Sequence, residues 1–254
     1  SAYRKRRYTI EELPEQILRS KPLPQNQRGG ARDIVELFQR IYKRRGWDKY
    51  AKFDKQGGPQ QPYILYKAKN VTDPQIRVEK MMKARPISPG TRHPMRKLLH
   101  YVGRAWSFLT ARMPGEHFTI NKCADVPAFL ESAGRELSHL GTLKAEIWDI
   151  EGAYPNCPKP SIRFAMRKVI KDIRASREET YGVYVPRYSD AQPCMFETRK
   201  RGYQFIPFQV MLDVADFSLD FAMIKMPDGR ILRQNKGIPM GDPISPGMML
   251  SACA

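Results

Sequence analysis

Apolar positions recur along this chain with two periods, and each change of period marks an expected element. Ile34, Leu37, Phe38 and Ile41 fall at i, i+3, i+4 and i+7, which predicts an amphipathic helix that Asp33 can cap and Gly46 can end. Leu98, Val102, Ala105 and Leu109 predict a second helix, opened by Pro94 and running to about Met113. Residues 125–140 predict a third helix, Ile162, Ala165, Met166, Val169 and Ile173 a fourth beginning at Ser161, and residues 207–219 a fifth. Segments 63–66 and 77–85 have extended character around the turn-like Asn70-Val71-Thr72-Asp73-Pro74, so a hairpin or three-stranded unit is expected there. Residues 144–149 read as a buried strand. Pro227-Asp228-Gly229 between two apolar runs predicts a hairpin over 221–234. Near the start, Thr9-Ile10-Glu11-Glu12 has capping-box form and predicts a short helix through Leu18, followed by an extended linker to Gly30. Residues 176–206 are polar and aromatic without a clear period, and are expected to form an insertion or surface loop. No internal repeat is found.

Length and composition narrow the class. The chain has 254 residues, enough for one large domain or two smaller ones with real cores. No run of eighteen apolar residues exists, so no membrane span is expected. It opens Ser1-Ala2-Tyr3 without an initiator Met, as expected of a processed chain or a piece of a longer one. The four cysteines, Cys123, Cys157, Cys194 and Cys253, are far apart, which argues against a zinc site or a dense disulfide framework and for reduced thiols in an intracellular protein.

Charge changes the picture most. Lys and Arg number 44 against 26 Asp and Glu, a net +18. Such a field attracts polyanions, and nucleic acid is the expected partner. An anionic membrane would be attracted too, but no basic amphipathic helix with a bulky apolar face is present to insert. Candidate phosphate contacts are Arg4, Lys5, Arg6 and Arg7 in the N-terminal arm, Lys43, Arg44 and Arg45 at the end of the first helix, and Arg163, Arg167 and Lys171 away from the apolar stripe of the fourth. The trio at 43–45 equally suits a helix dipole.

Three constellations carry candidate chemistry. The first is Trp148-Asp149-Ile150-Glu151-Gly152-Ala153-Tyr154, an acid at the end of an apolar strand with a ring five residues on. A carboxylate there can hold a hard cation, with the Ile150 carbonyl as a further oxygen ligand, or can simply serve as a turn residue. The second is Gly237-Ile238-Pro239-Met240-Gly241-Asp242-Pro243-Ile244-Ser245-Pro246. Gly237 and Gly241 remove Cβ atoms so that backbone can approach a ligand, the prolines stiffen the path, and Ser245 is placed to cap a following helix. The third is Lys83-Ala84-Arg85-Pro86-Ile87, two cations on alternate residues of a strand, suited to holding a triphosphate or to facing water from a sheet edge.

In this order the segments resemble reverse transcriptases, and most closely the Penelope-like retroelement branch, which is related to telomerase. Arg85-Pro86-Ile87-Ser88 with Pro94 and a helix resembles the fingers; Asn121-Lys122-Cys123-Ala124-Asp125 resembles the segment before the palm. Asp149 to Tyr154 with Pro155-Asn156-Cys157-Pro158 resembles the first palm motif, and Gly237 to Gly241 with Pro243, Ser245 and Pro246 the second. The resemblance spans roughly residues 76–254. It implies an α/β fold of the α+β type, an antiparallel sheet packed with helices, with a basic extension at 1–75, a fingers-like region at 76–140 and a partial palm at 141–254. It implies RNA-directed DNA polymerisation by two-metal phosphoryl transfer, with Mg²⁺ or Mn²⁺ held by Asp149 and Ile150. Asp149 would be catalytic and Lys83 and Arg85 would contact the triphosphate. Tyr154 would exclude the 2′-hydroxyl, and Gly237, Pro239, Met240 and Gly241 would form the turn against template and nucleotide. RNA or an RNA–DNA hybrid and deoxynucleoside triphosphates are the implied partners. The paired acids of the third palm motif and the thumb are not found in these residues, so the rest of the palm and thumb is expected on a longer chain or a partner, and the 254 residues alone are expected to be inactive. Two other readings stay open: an RNA-binding scaffold of a ribonucleoprotein without catalysis, and a viral-type RNA-dependent RNA polymerase. Tyr154, where those polymerases place an acid, weighs against the second.

Overall fold

Ile34, Phe38 and Tyr42, spaced four apart, bury one face of α1 (Ala31–Arg44) in the computed structural model, which describes residues 21–22, 30–68, 82–114, 124, 126–142, 152–177, 180–188, 191–195, 201–226 and 228–253. The short strand β1 (Lys21–Pro22) precedes it. Asp33 lies within the first turn of α1; the cap position is Gly30, whose carbonyl accepts the Asp33 N–H at 3.1 Å. β2 (Tyr63–Ala68) and β3 (Met82–Ile87) pair antiparallel with Tyr63 opposite Ile87 and Leu65 opposite Arg85. A short 3₁₀ turn (Gly90–Arg92) leads into α2 (Arg96–Thr110), the most buried helix, in which Leu98, Leu99, Val102, Ala105, Trp106 and Leu109 are all inaccessible. Each Leu and Val among these contributes roughly 1.5–3 kcal/mol by leaving water.

α3 (Val126–Glu136) follows, then the single turn α4 (Ala153–Asn156) and the long α5 (Lys159–Ser176), whose Ile162, Met166, Val169, Ile170 and Ile173 face the core. β4 (Gly182–Pro186) pairs antiparallel with β5 (Tyr203–Pro207), which runs straight into α6 (Phe208–Asp220). β6 (Met223–Lys225) and β7 (Ile231–Arg233) form the expected hairpin, with β7 also paired to β1. Gln60 extends this sheet on the far side of β6, donating its N–H to the Met223 carbonyl at 3.0 Å and accepting from the Lys225 N–H at 2.8 Å. α7 (Ser245–Cys253) packs on both α2 and α5.

Among the described residues the architecture is α+β, with three small antiparallel sheets among helices. One local expectation changes. The stretch 176–206 contains β4, whose Val183 and Val185 are fully buried, and it leads into β5 with buried Ile206. The alternation Val183-Tyr184-Val185 is a strand signal, hidden because its partner lies beyond a polar segment. The helix expected over 125–140 is present as α3 and a 3₁₀ turn (Ser138–Leu140); none of α3 is buried, and Phe129 and Leu130 are more than half exposed. The expected helix before Leu18 and the expected strand at 144–149 lie outside the described residues. None of the described helices is long and apolar enough to cross a membrane.

Candidate functional site

The site is built around the turn at 237–246, and backbone contacts fix its place. Gly237 has a φ of 75°, and a Cβ there would stand 2.4 Å from the Tyr154 carbonyl oxygen. No side chain fits, so glycine is required both by conformation and by space. The next N–H, of Ile238, donates to that same carbonyl at 2.7 Å. On its other side the turn meets the chain leaving β3: the Ser88 N–H donates to the Met240 carbonyl at 2.6 Å, and the Gly90 N–H to the Gly241 carbonyl at 3.2 Å. A third approach is made by α2, where a Cβ on Gly103 would lie 2.3 Å from the Pro243 carbonyl oxygen. One irregular segment therefore joins the first turn after Gly152, the exit of β3 and the middle of α2.

Side chains tighten the turn from inside. Asp242 is buried, accepts the Ser218 hydroxyl at 2.8 Å on one oxygen and the Ile244 N–H at 3.1 Å on the other. Burial pushes its carboxyl up to about 6 while the two donors pull the other way, so it is ionised at neutral pH. Its backbone carbonyl accepts the Ser245 N–H at 3.0 Å. Ser245 is the first residue of α7 rather than its cap, and its hydroxyl turns back to donate to the Pro239 carbonyl, while Asp242 holds the Ile244 N–H just ahead of the helix. Tyr154 is half-buried, its ring packed on the core, and burial raises its phenol first, with Cys253 adding to this. It stays protonated. Lys159 donates to the carbonyls of Leu219 and, at 2.7 Å, Gln234, tying the start of α5 to the hairpin that delivers Gly237. Burial draws its ammonium down to about 8, against the opposing pull of Asp220. Asp242, Ser218, Gly103 and Lys159 do not stand out in the sequence. An Asp three residues before a helix-opening Ser, and a lone Gly in an apolar helix, are the signals that could find two of them.

Of the expected site residues, Tyr154, Gly237, Pro239, Met240 and Gly241 meet in this one place. Lys83 and Arg85 lie on β3, which enters it through Ser88. Asp149, Ile150, Arg4, Lys5, Arg6 and Arg7 lie outside the described residues. Among the described residues no three His, Cys, Asp or Glu side chains gather to hold a metal; Asp242, whose oxygens already accept two donors, is spent on the turn.

The expected phosphate contacts fare differently. α6 presents Asp213, Asp216 and Asp220 at helical spacing, and they collect the cations. Arg163 donates to Asp216 at 2.8 Å and Asp220 at 2.6 Å, Arg167 reaches Asp216 at 3.5 Å, and Arg45 reaches Asp213 at 3.5 Å. Lys43, Arg44 and Lys171 are exposed and form no ion pair among the described residues.

No known protein family matches the chain, and no curated protein does. Among solved structures, an apo telomerase from Candida tropicalis truncated from the C-terminal domain is similar at a TM-score of 0.34 and 14% identity, over 63% of this chain and 28% of that one. A likeness of that extent carries neither a fold nor a function.

Proposed function

We propose that this chain forms the nucleotide- and nucleic-acid-binding part of an RNA-directed DNA polymerase, one that adds deoxynucleotides to a primer. The observation that supports this most is the meeting of Tyr154, the Gly237–Gly241 backbone and the exit of β3 in one seam, three sequence segments that a nucleotide site would need within reach of each other. In this reading Met240 and Gly241, the accessible part of the turn, face template and nucleotide while Gly237 seats the turn on the Tyr154 backbone, Lys83 and Arg85 hold the triphosphate, and Tyr154 stands where a 2′-hydroxyl would go. Asp149 and the Ile150 carbonyl are the oxygen ligands for Mg²⁺ or Mn²⁺, whose bound ions would stabilise the attacking and leaving oxygens. RNA or an RNA–DNA hybrid is the proposed polymer, and the rest of the palm and thumb is proposed to come from elsewhere in a longer chain or from a partner.

The test is primer extension on an RNA template by the full-length protein, with deoxy- and ribonucleotides supplied separately. Asp149→Asn is expected to abolish extension while the circular dichroism spectrum is unchanged, because one ligand loses its charge. Tyr154→Ala is expected to admit ribonucleotides. An unchanged rate in Asp149→Asn would overturn the site. RNA binding with no extension by the wild type would leave a scaffold without catalysis.

A further inference from the structure

Away from the turn, two segments build a cationic cleft. Lys52 and Lys55 on one side and Arg96 and Lys97 on the other line a cavity of about 530 Å³, with Phe53 on its wall. All four cations are exposed, and none forms an ion pair among the described residues. The carboxylate on this wall, Asp54, accepts the Gln56 N–H at 2.9 Å. The two segments are fastened by backbone: the Asp54 N–H donates to the Pro94 carbonyl at 2.8 Å, and the Gly58 N–H to the Arg92 carbonyl at 2.7 Å. Like charges held together on a fixed frame repel, and what relieves them is a polyanion. The Lys97 ammonium also lies 5.9 Å from the ring of Tyr188, which is 86% exposed. An aromatic face in water beside phosphate-binding cations is the arrangement that stacks an unpaired base.

We propose that this cleft binds a single-stranded segment of nucleic acid, with Lys52, Lys55, Arg96 and Lys97 on phosphates and Tyr188 stacked on a base. The proposal rests on the reading that the chain binds nucleic acid, and adds where and in which form. The cleft is linked to the turn: Gly90, bonded to Gly241, lies a few residues before Arg96 on the same segment.

The experiment is fluorescence anisotropy with a labelled oligouridylate and with a duplex of matched length, over a salt series, on the full chain. Changing Lys52, Lys55, Arg96 and Lys97 together to Gln is expected to weaken oligouridylate binding about a hundredfold and to flatten the log–log salt slope by about 0.7 for each phosphate no longer neutralised. Tyr188→Ala is expected to weaken oligouridylate about tenfold and leave the duplex unchanged. Thermal melts of both should match the wild type, since only exposed side chains change. Oligouridylate affinity unchanged by the fourfold substitution overturns the cleft while leaving nucleic-acid binding standing. Equal losses from substituting the paired Arg163 and Arg167 would mean a general charge effect, and would also overturn it. A wild-type chain that binds anionic lipid vesicles but neither oligonucleotide overturns both the cleft and the reading beneath it.

Discussion

Two basic regions of this molecule have the same look in the sequence and opposite electrostatics in the fold. Arg45 at the end of α1 and Arg163 and Arg167 on α5 face α6, where Asp213, Asp216 and Asp220 take them up, while Lys43, Arg44 and Lys171 stay exposed. Those at 52–55 and 96–97 line one cleft in which four cations outnumber a single carboxylate, Asp54, and none of them forms an ion pair among the described residues. Positive charge marks an interface only where the fold has not already answered it. A net charge of +18 says that much of it is unanswered, but not where.

The comparison depends on a frame that holds both regions in place, and that frame should be most sensitive at Gly237. A Cβ there meets a backbone oxygen that cannot give way, and the positive φ adds strain. Gly237→Ala is expected to cost about 3 kcal/mol, lowering Tm by roughly 10 °C in a scan by calorimetry.

Acid should come next. His93 is buried, stacked on Phe38 with ring centroids 5.4 Å apart, and accepts the Met95 N–H at Nδ1 over 3.1 Å, just before the cleft residues Arg96 and Lys97. Burial draws it down to about 4, so the folded state resists a proton that the unfolded chain takes near 6.5. Its stability is present above about 6.5 and lost as pH falls to about 4, on the order of 3 kcal/mol in all. Asp242 runs the other way: raised to about 6, it favours the fold below 3.8 and loses that contribution as pH rises through 6. Each masks the other between pH 4 and 6. Asp242→Asn removes one of them, so denaturant midpoints measured across this range should fall more steeply with acid than in the wild type.

The paired region should respond least. Arg163→Gln with Arg167→Gln is expected to cost about 1 kcal/mol of stability, as partly exposed ion pairs do, and to leave RNA affinity within about twofold by anisotropy. Releasing the same arginines with Asp216→Asn and Asp220→Asn should instead raise RNA affinity a few-fold and steepen its salt slope, sharpening the contrast from the opposite side.

Sequence pattern carries the described helices and the 221–234 hairpin, because apolar periodicity and Pro-Asp-Gly act locally. It also carries the turn at 237–246, because glycines and prolines state a backbone requirement wherever the chain goes. It does not carry β4, whose partner is remote, nor the fact that α3 buries nothing. The phosphate contacts are legible only in part. Arg163 and Arg167 stand out as cations, but their role depends on an acidic stripe some fifty residues later on α6, and that spacing, Asp213, Asp216 and Asp220 on one helical face, is itself readable. The cleft is not legible, since Lys52, Lys55, Arg96 and Lys97 converge only through the backbone bonds between 54–58 and 92–94.

The proposed site seats a deoxynucleotide against the turn at 237–246. The most direct test is photo-crosslinking with an azido-deoxyuridine triphosphate on the full chain, with Mg²⁺, followed by mapping of the labelled peptide. Label is expected within 83–90, 149–155 or 237–246, competed by unlabelled deoxynucleotide more strongly than by ribonucleotide, with that preference lost in Tyr154→Ala. Label on α3 or along α5, with the turn untouched, would contradict it.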